Sequence, residues 1–238
     1  MLFERYGHGP CAFLCLHGWN GTHATFAPLA AGLPERVSLW CPDIPTGATL
    51  SEITDSLEAL STAVPKPLRI VGNCSGALHG LLLAERVPVE RLVMIDAFAY
   101  WPWYFRLFLA PVLGRYAYWS AFANPVGRWL ANGALARHRT ESTNLTDGFS
   151  RADHAKTYRQ LELLSEIHPP EGFRGVTAQI DIVCGERSFA AIRRSAAIWK
   201  KVFPAAREYT LAGAGHLPLL EATGQLRQII LEESPCTV

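Results

Sequence analysis

Residues 69–77 read Arg-Ile-Val-Gly-Asn-Cys-Ser-Gly-Ala. Residues 69–72 form a short apolar run of strand character, and residues 77–86 continue with helical composition. Between them Gly72-Asn73-Cys74-Ser75-Gly76 has the pattern small-x-nucleophile-x-small, a strained strand-to-helix turn that pushes one side chain out over a sheet edge. The small residues at 72 and 76 are required because the backbone doubles back on itself. The nucleophile position holds cysteine, so the expected covalent intermediate is a thioester. Ser75 is the adjacent alternative, but that register would put Asn73 and Ala77 at the small positions and lengthen the strand by one residue.

The rest of the chain supplies a setting for that turn. Its 238 residues suit one large α/β domain, and 49% hydrophobic content is enough for a full core. The net charge of +1 and the lack of a basic tract interleaved with aromatics give no reason to expect nucleic acid as a partner. Met1–Arg5 has neither the basic start nor the apolar stretch of a signal peptide. Cysteines 11, 15, 41, 74, 184 and 236 fall mostly in or beside apolar runs, and the expectation is reduced, largely structural thiols in a cytoplasmic protein. Cys11-x-x-x-Cys15 has no second pair to complete a zinc site, so no metal is expected, and no organic cofactor is called for.

Apolar runs at 11–16, 37–41, 69–72, 91–95, 180–184 and 208–211 read as strands. Helices are expected near 23–31, at 50–63 (Ile53, Leu57 and Leu60 on one face), after the Cys74 turn, and at the C-terminus to about 230. Strands alternating with helices predict a mostly parallel sheet covered on both faces. Residues 97–140 break the rhythm. Twelve aromatics lie between Phe98 and Trp129, and from Ala97 to Thr140 there are five arginines and no acid. Arginines interrupt the segment, so it falls short of the roughly 20 uncharged residues of a membrane span. The expected organisation is a core of residues 1–96 and 176–238 with a helical, aromatic-rich cap at 97–175. Trp101, Trp103, Phe105 and Trp119 are candidates for its substrate pocket.

Taken together, these motifs resemble the α/β-hydrolase superfamily over nearly the whole chain. His17-Gly18-Trp19 resembles its oxyanion loop, Gly72-Asn73-Cys74-Ser75-Gly76 its nucleophile elbow, and Gly213-Ala214-Gly215-His216-Leu217-Pro218 its histidine loop; Cys41-Pro42-Asp43-Ile44-Pro45 resembles a stretch common after an early strand. A cysteine in the elbow is similar to dienelactone hydrolases and polyester synthases. The acid departs from the usual pattern, because the Gly-x-x-Asp turn reads Gly185-Glu186-Arg187-Ser188. Asp96, at the end of the strand after the elbow helix, matches where haloalkane dehalogenases and certain lipases keep their acid; Glu186 is the alternative. Dehalogenase chemistry itself would need a carboxylate at position 74.

The resemblance implies a Cys74, His216 and Asp96 triad, with the backbone N–H groups of Trp19 and Ser75 as oxyanion donors. His17 reads as a loop brace, and His79, beyond the elbow, as helix packing. The implied function is a hydrolase or thioesterase acting on a hydrophobic acyl ester, thioester or lactone. An acyltransferase using the same acyl-enzyme, and a non-catalytic receptor or scaffold, are the competing readings. The acid-free arginines suggest an anionic neighbour: a phosphopantetheine carrier protein, coenzyme A or an acidic membrane surface.

Overall fold

The apolar runs assemble into one seven-stranded sheet. The computed structural model describes residues 1–232. The strands are β1 (Phe3–Tyr6), β2 (Cys11–Leu16), β3 (Val37–Pro42), β4 (Arg69–Asn73), β5 (Arg91–Ile95), β6 (Gln179–Gly185) and β7 (Arg207–Leu211). Their order across the sheet is β1-β3-β2-β4-β5-β6-β7. β1 pairs antiparallel with β3, and all other pairings are parallel. This is the mostly parallel, doubly covered sheet that the alternating pattern predicts; β1 is an addition to it.

The helices are α1 (Ala27–Ala30), α2 (Leu50–Ser61), α3 (Ser75–Ala84), α4 (Trp103–Phe108), α5 (Leu113–Tyr118), α6 (Pro125–Ala134), α7 (His154–Leu164), α8 (Ala190–Val202), α9 (Pro218–Glu221) and α10 (Thr223–Arg227). α2 starts at a capping box in which Thr49 and Glu52 satisfy each other's backbone N–H groups. The region expected to be one helix near 23–31 is a 3-10 turn at His23–Phe26 followed by the single turn α1. Pro28, early in α1, suits a helix start but not its interior.

The central strands are apolar at consecutive positions, and their pleat sends alternate residues into two cores. Leu14, Leu16, Ile70, Leu92, Met94 and Ile182 face α2, α3 and α8, whereas Phe13, Cys15, Val71, Val93, Ile95 and Val183 face α1, α9 and α10. At the amino ends of the strands, buried Asp181 accepts from Arg91 Nε at 2.6 Å and from Arg207 Nε at 2.6 Å. α4, α5, α6 and α7 all lie between β5 and β6. Among the described residues no helix is long and apolar enough to cross a membrane.

The cysteines need one correction. Cys15, Cys41, Cys74 and Cys184 are free, but Cys11 is disulfide-bonded and not a reduced thiol. Cys236 lies outside the described residues.

His79 is buried in α3 as the packing residue expected, and neither ring nitrogen has a protein partner. Burial, aided by His17, pulls its pKa from 6.5 down to about 4. The unfolded chain therefore binds a proton there at mildly acidic pH that the folded protein refuses. The stability held by neutral His79 is complete above pH 6.5 and is lost as pH falls through about 4. The loss amounts to about 3 kcal/mol. Urea denaturation across that window should show His79→Leu losing less stability than wild type on acidification, and equal losses would refute the assignment.

Candidate functional site

Trp19, Cys74, Asp96, Glu186 and His216 all stand beyond the carboxyl ends of parallel strands, which is where open α/β sheets form their crevice. Cys74 follows β4 and caps α3 with φ 52° and ψ −117°. Its N–H donates to the Ile95 carbonyl at 2.7 Å. The two flanking glycines permit the turn. A Cβ on Gly76 would lie 2.0 Å from the Leu16 carbonyl oxygen, and one on Gly72 would lie 2.4 Å from the Ala77 Cα. Ser75 is the first residue of α3 and is buried, with no partner for its hydroxyl. Of the two neighbours, Cys74 therefore takes the strained position that projects outward.

The end of β2 packs directly against this turn, and a Cβ on Gly18 would come within 2.9 Å of the Cys74 Cβ. His17 is buried and braces that loop, accepting from the Ile44 N–H at Nε2 (3.0 Å) while Nδ1 lies 2.9 Å from the Gly18 carbonyl. This arrangement requires the neutral ring, and burial lowers the pKa of His17 accordingly. The backbone N–H groups of Trp19 and Ser75 have no protein acceptor among the described residues. Trp19 is fixed from α7, its Nε1 donating to the Thr157 carbonyl at 2.8 Å. Asn20, at φ 59°, is held by the Gln160 and Thr157 side chains.

Asp96, fully buried at φ 48°, follows β5. Its Oδ1 accepts from the Gly185 N–H at 3.0 Å. Its Oδ2 accepts from the Ser188 hydroxyl at 2.6 Å and lies 2.9 Å from His216 Nδ1. The His216 ring rests on Phe189, with centroids 4.5 Å apart, and its backbone N–H donates to the His138 carbonyl at 2.8 Å. Burial opposes a charge on this imidazole. Hydrogen bonds that the ring donates to Asp96 and then Cys74, with the negative charge of each, outweigh burial and lift its pKa from 6.5 to about 10.

Cys74, His216 and Asp96 are thus brought together, with the amides of Trp19 and Ser75 close by. Glu186 is not part of this group. It is exposed, and its carboxylate accepts from the Gly213 N–H at 2.7 Å. Ser188, which stands where the usual turn would carry aspartate, was not singled out as a site residue, yet its hydroxyl touches both Asp96 and His216 (3.2 Å from Nδ1). The signal for it was that departure at position 188. The anchors on α7 left no signal in the sequence.

Cys74 opens into a cavity of about 620 Å³. Its walls are mainly apolar, from Leu78, Phe98, Trp101, Phe105, Leu161 and Phe173 among others. Two of the four pocket candidates, Trp101 and Phe105, line it. Trp103 does not. It turns outward, 75% exposed, beside a separate shallow cleft. Trp119 packs on Tyr118, Tyr158 and His154 instead. Among the described residues, no cluster of three or more His, Cys, Asp or Glu side chains could hold a metal ion.

Residues 13–228 match the model of the alpha/beta hydrolase family. Among solved structures, an esterase from Thermogutta terrifontis superposes with a TM-score of 0.76 at 17% identity, over 97% of this chain and 91% of that one. An enol-lactonase from Burkholderia xenovorans gives 0.72 at 15% identity, over 97% and 95%. A lipase-esterase related protein from Clostridium acetobutylicum gives 0.73 at 14%, over 97% and 98%. At these identities the likeness is one of fold. No curated protein matches the chain.

If Asp96 holds the charge on His216, replacing its carboxylate will release it. NMR titration of the His216 ring should show its pKa fall by about two units or more in Asp96→Asn, whereas Glu186→Gln should leave it unchanged. The opposite pattern would give the role of the acid to Glu186.

Proposed function

Because the chain belongs to the alpha/beta hydrolase family, with Cys74, His216 and Asp96 converging where its strands end, we propose that it is a cysteine-dependent hydrolase of hydrophobic acyl esters or thioesters. The observation that carries this reading is Cys74 at the strained turn, facing an imidazole tied to a buried carboxylate, at the head of an apolar cavity. Cavities of this size suit small-molecule ligands, and the lining fits an acyl group better than a polar one. Residues 97–175 serve as the cap, contributing Trp101 and Phe105 to the pocket.

The chemistry follows from the charges. His216 holds its proton at neutral pH, and a protonated imidazole beside a cysteine favours the thiolate, the nucleophilic form. The Sγ attacks the acyl carbonyl and forms a C–S bond. The carbonyl electron pair moves onto oxygen, where the N–H groups of Trp19 and Ser75 receive it. The Ser75 N–H also opens α3, whose dipole favours a negative charge. Collapse of this adduct expels the alkoxide or thiolate, which takes the proton from His216 Nε2. Asp96, on Nδ1, holds the ring in orientation throughout. The neutral imidazole then draws a proton from water, whose oxygen attacks the acyl-enzyme carbonyl. Free acid, Cys74 and protonated His216 are regenerated.

Intact-protein mass spectrometry after exposure to aryl and long-chain acyl thioesters tests this reading. An acyl adduct on Cys74 is expected, absent in Cys74→Ala, with turnover in that variant lower by about 10⁴-fold or more. Decay of the adduct in water alone marks a hydrolase, whereas decay only with an added alcohol, amine or thiol marks an acyltransferase. An adduct on Ser75, or none with any donor alongside slow alkylation of Cys74 by iodoacetamide, would refute the proposal.

A further inference from the structure

Eight of the twelve exposed large apolar side chains among the described residues fall between Trp103 and Leu130. They follow the helical phase. Trp103 lies on α4; Leu113 and Tyr116, three apart, on α5; Val126 and Trp129, three apart, on α6. Exposures run from 66% for Val126 to 75% for Trp103 and Trp129. A helix that turns its apolar stripe to water has its partner elsewhere, and patches of this kind mark interaction surfaces. Val112, between α4 and α5, is a β-branched residue at φ 64° and is 80% exposed. Such a conformation is a genuine outlier whose strain is retained only where the surroundings enforce it. Leu113 beside it is 67% exposed.

The charges on these helices have one sign. No Asp or Glu occurs from Ala97 to Thr140, while Arg106, Arg115 and Arg137 are exposed and form no ion pair among the described residues. Arg115 lies over the Trp119 ring, 5.0 Å from its centroid. We propose that this face of the insertion docks on an anionic lipid bilayer, with Val112, Leu113, Tyr116 and Trp129 entering the interface and the arginines meeting the headgroups. Trp and Tyr at this depth keep an apolar body in lipid and a polar tip in the headgroup layer, and exposed arginines are drawn to anionic lipid. A second copy of the chain fits less well, because a two-fold contact between these helices sets arginine against arginine with no carboxylate between Ala97 and Thr140 to answer it. The position also agrees with the cavity. α4 carries Trp103 on the face and Phe105 and Arg106 in the wall of the Cys74 cavity, with Leu109 just beyond. An acyl chain leaving the bilayer there has a short path to Cys74.

Co-sedimentation of the full chain with vesicles decides the matter, using phosphatidylcholine alone and phosphatidylcholine mixed with phosphatidylglycerol. Binding should be about tenfold or more tighter to the anionic vesicles, and salt should weaken it. Leu113→Ser with Trp129→Ser should reduce binding at least tenfold, and Arg115→Gln with Arg137→Gln should remove most of the anionic preference. Both pairs should retain the wild-type Tm and wild-type hydrolysis of a water-soluble short-chain thioester. Cys74→Ala should bind vesicles like wild type, which separates this surface from the acyl chemistry. Three results would overturn the proposal: equal binding to both vesicles, no effect of the paired serine substitutions, or a dimer in sedimentation equilibrium that Trp129→Ser dissolves.

Discussion

The close crossing of backbone at Gly76 is the contact on which the site depends. Here β2, the turn after β4 and the start of α3 meet with no side chain between them. A single added carbon would lie 2.0 Å from the Leu16 carbonyl oxygen, so any larger residue must separate the strand from the helix. That approach forces Cys74 into a backbone conformation that it would not choose, and the bond from its N–H to Ile95 secures it there. The same approach sets the amide of Ser75 beside the loop of Trp19. The thiol and the two candidate oxyanion donors are therefore parts of one rigid junction, the support that a preorganised site requires.

The carboxylate beside His216 shows how the register of a parallel sheet makes a position exchangeable. Ile95 pairs with Val183, so the residue after β5 lies one strand spacing, about 4.8 Å, from the turn after β6. A carboxylate can reach His216 from either place. Carboxylates at both places would not both stay ionised. The chain has Asp96 at one place and Ser188 at the other, and the serine hydroxyl gives the buried carboxylate a short hydrogen bond. Glu186 was a reasonable rival by sequence position alone. Its carboxylate instead closes a turn of the next loop through the Gly213 N–H, which leaves His216 to Asp96.

What was readable in the sequence follows from where the determinants lie. Six strands could be read because parallel strands covered on both faces are continuous apolar runs. The elbow and the histidine loop could be read because glycine is needed where backbones touch; Gly215, for instance, faces the His138 carbonyl oxygen at 2.1 Å from a would-be Cβ. β1 was missed because Phe-Glu-Arg-Tyr is a short edge strand without an apolar run. The pocket aromatics were only half legible. Where a short helix is aromatic on both faces, nothing local says which face turns inward, and Phe105 and Trp103, two residues apart on α4, go opposite ways. The Ser188 and Thr157 contacts join residues far apart in the chain, and no local pattern encodes them.

The helical insertion is more than a roof over the cavity. Trp19 is packed edge-on by Phe105, Phe122 and Phe149, and its indole is tied to Thr157, all four residues belonging to the insertion. The backbone N–H of that same Trp19 is one of the two candidate oxyanion donors. A displacement of α4 or α7 therefore cannot leave the donor unmoved, and a donor shifted by about 1 Å loses much of its effect on a developing charge. The His216 loop is tied to the insertion as well, through the His138 carbonyl and through Glu221, which accepts from both Thr140 and Gly215. The aromatic segment thus presents apolar side chains to solvent on one side while its other side fixes the geometry around Cys74. Whatever engages the outer face acts on helices that also hold the loops of Trp19 and His216, so that surface and the neighbourhood of Cys74 are mechanically joined through Trp19 and His138.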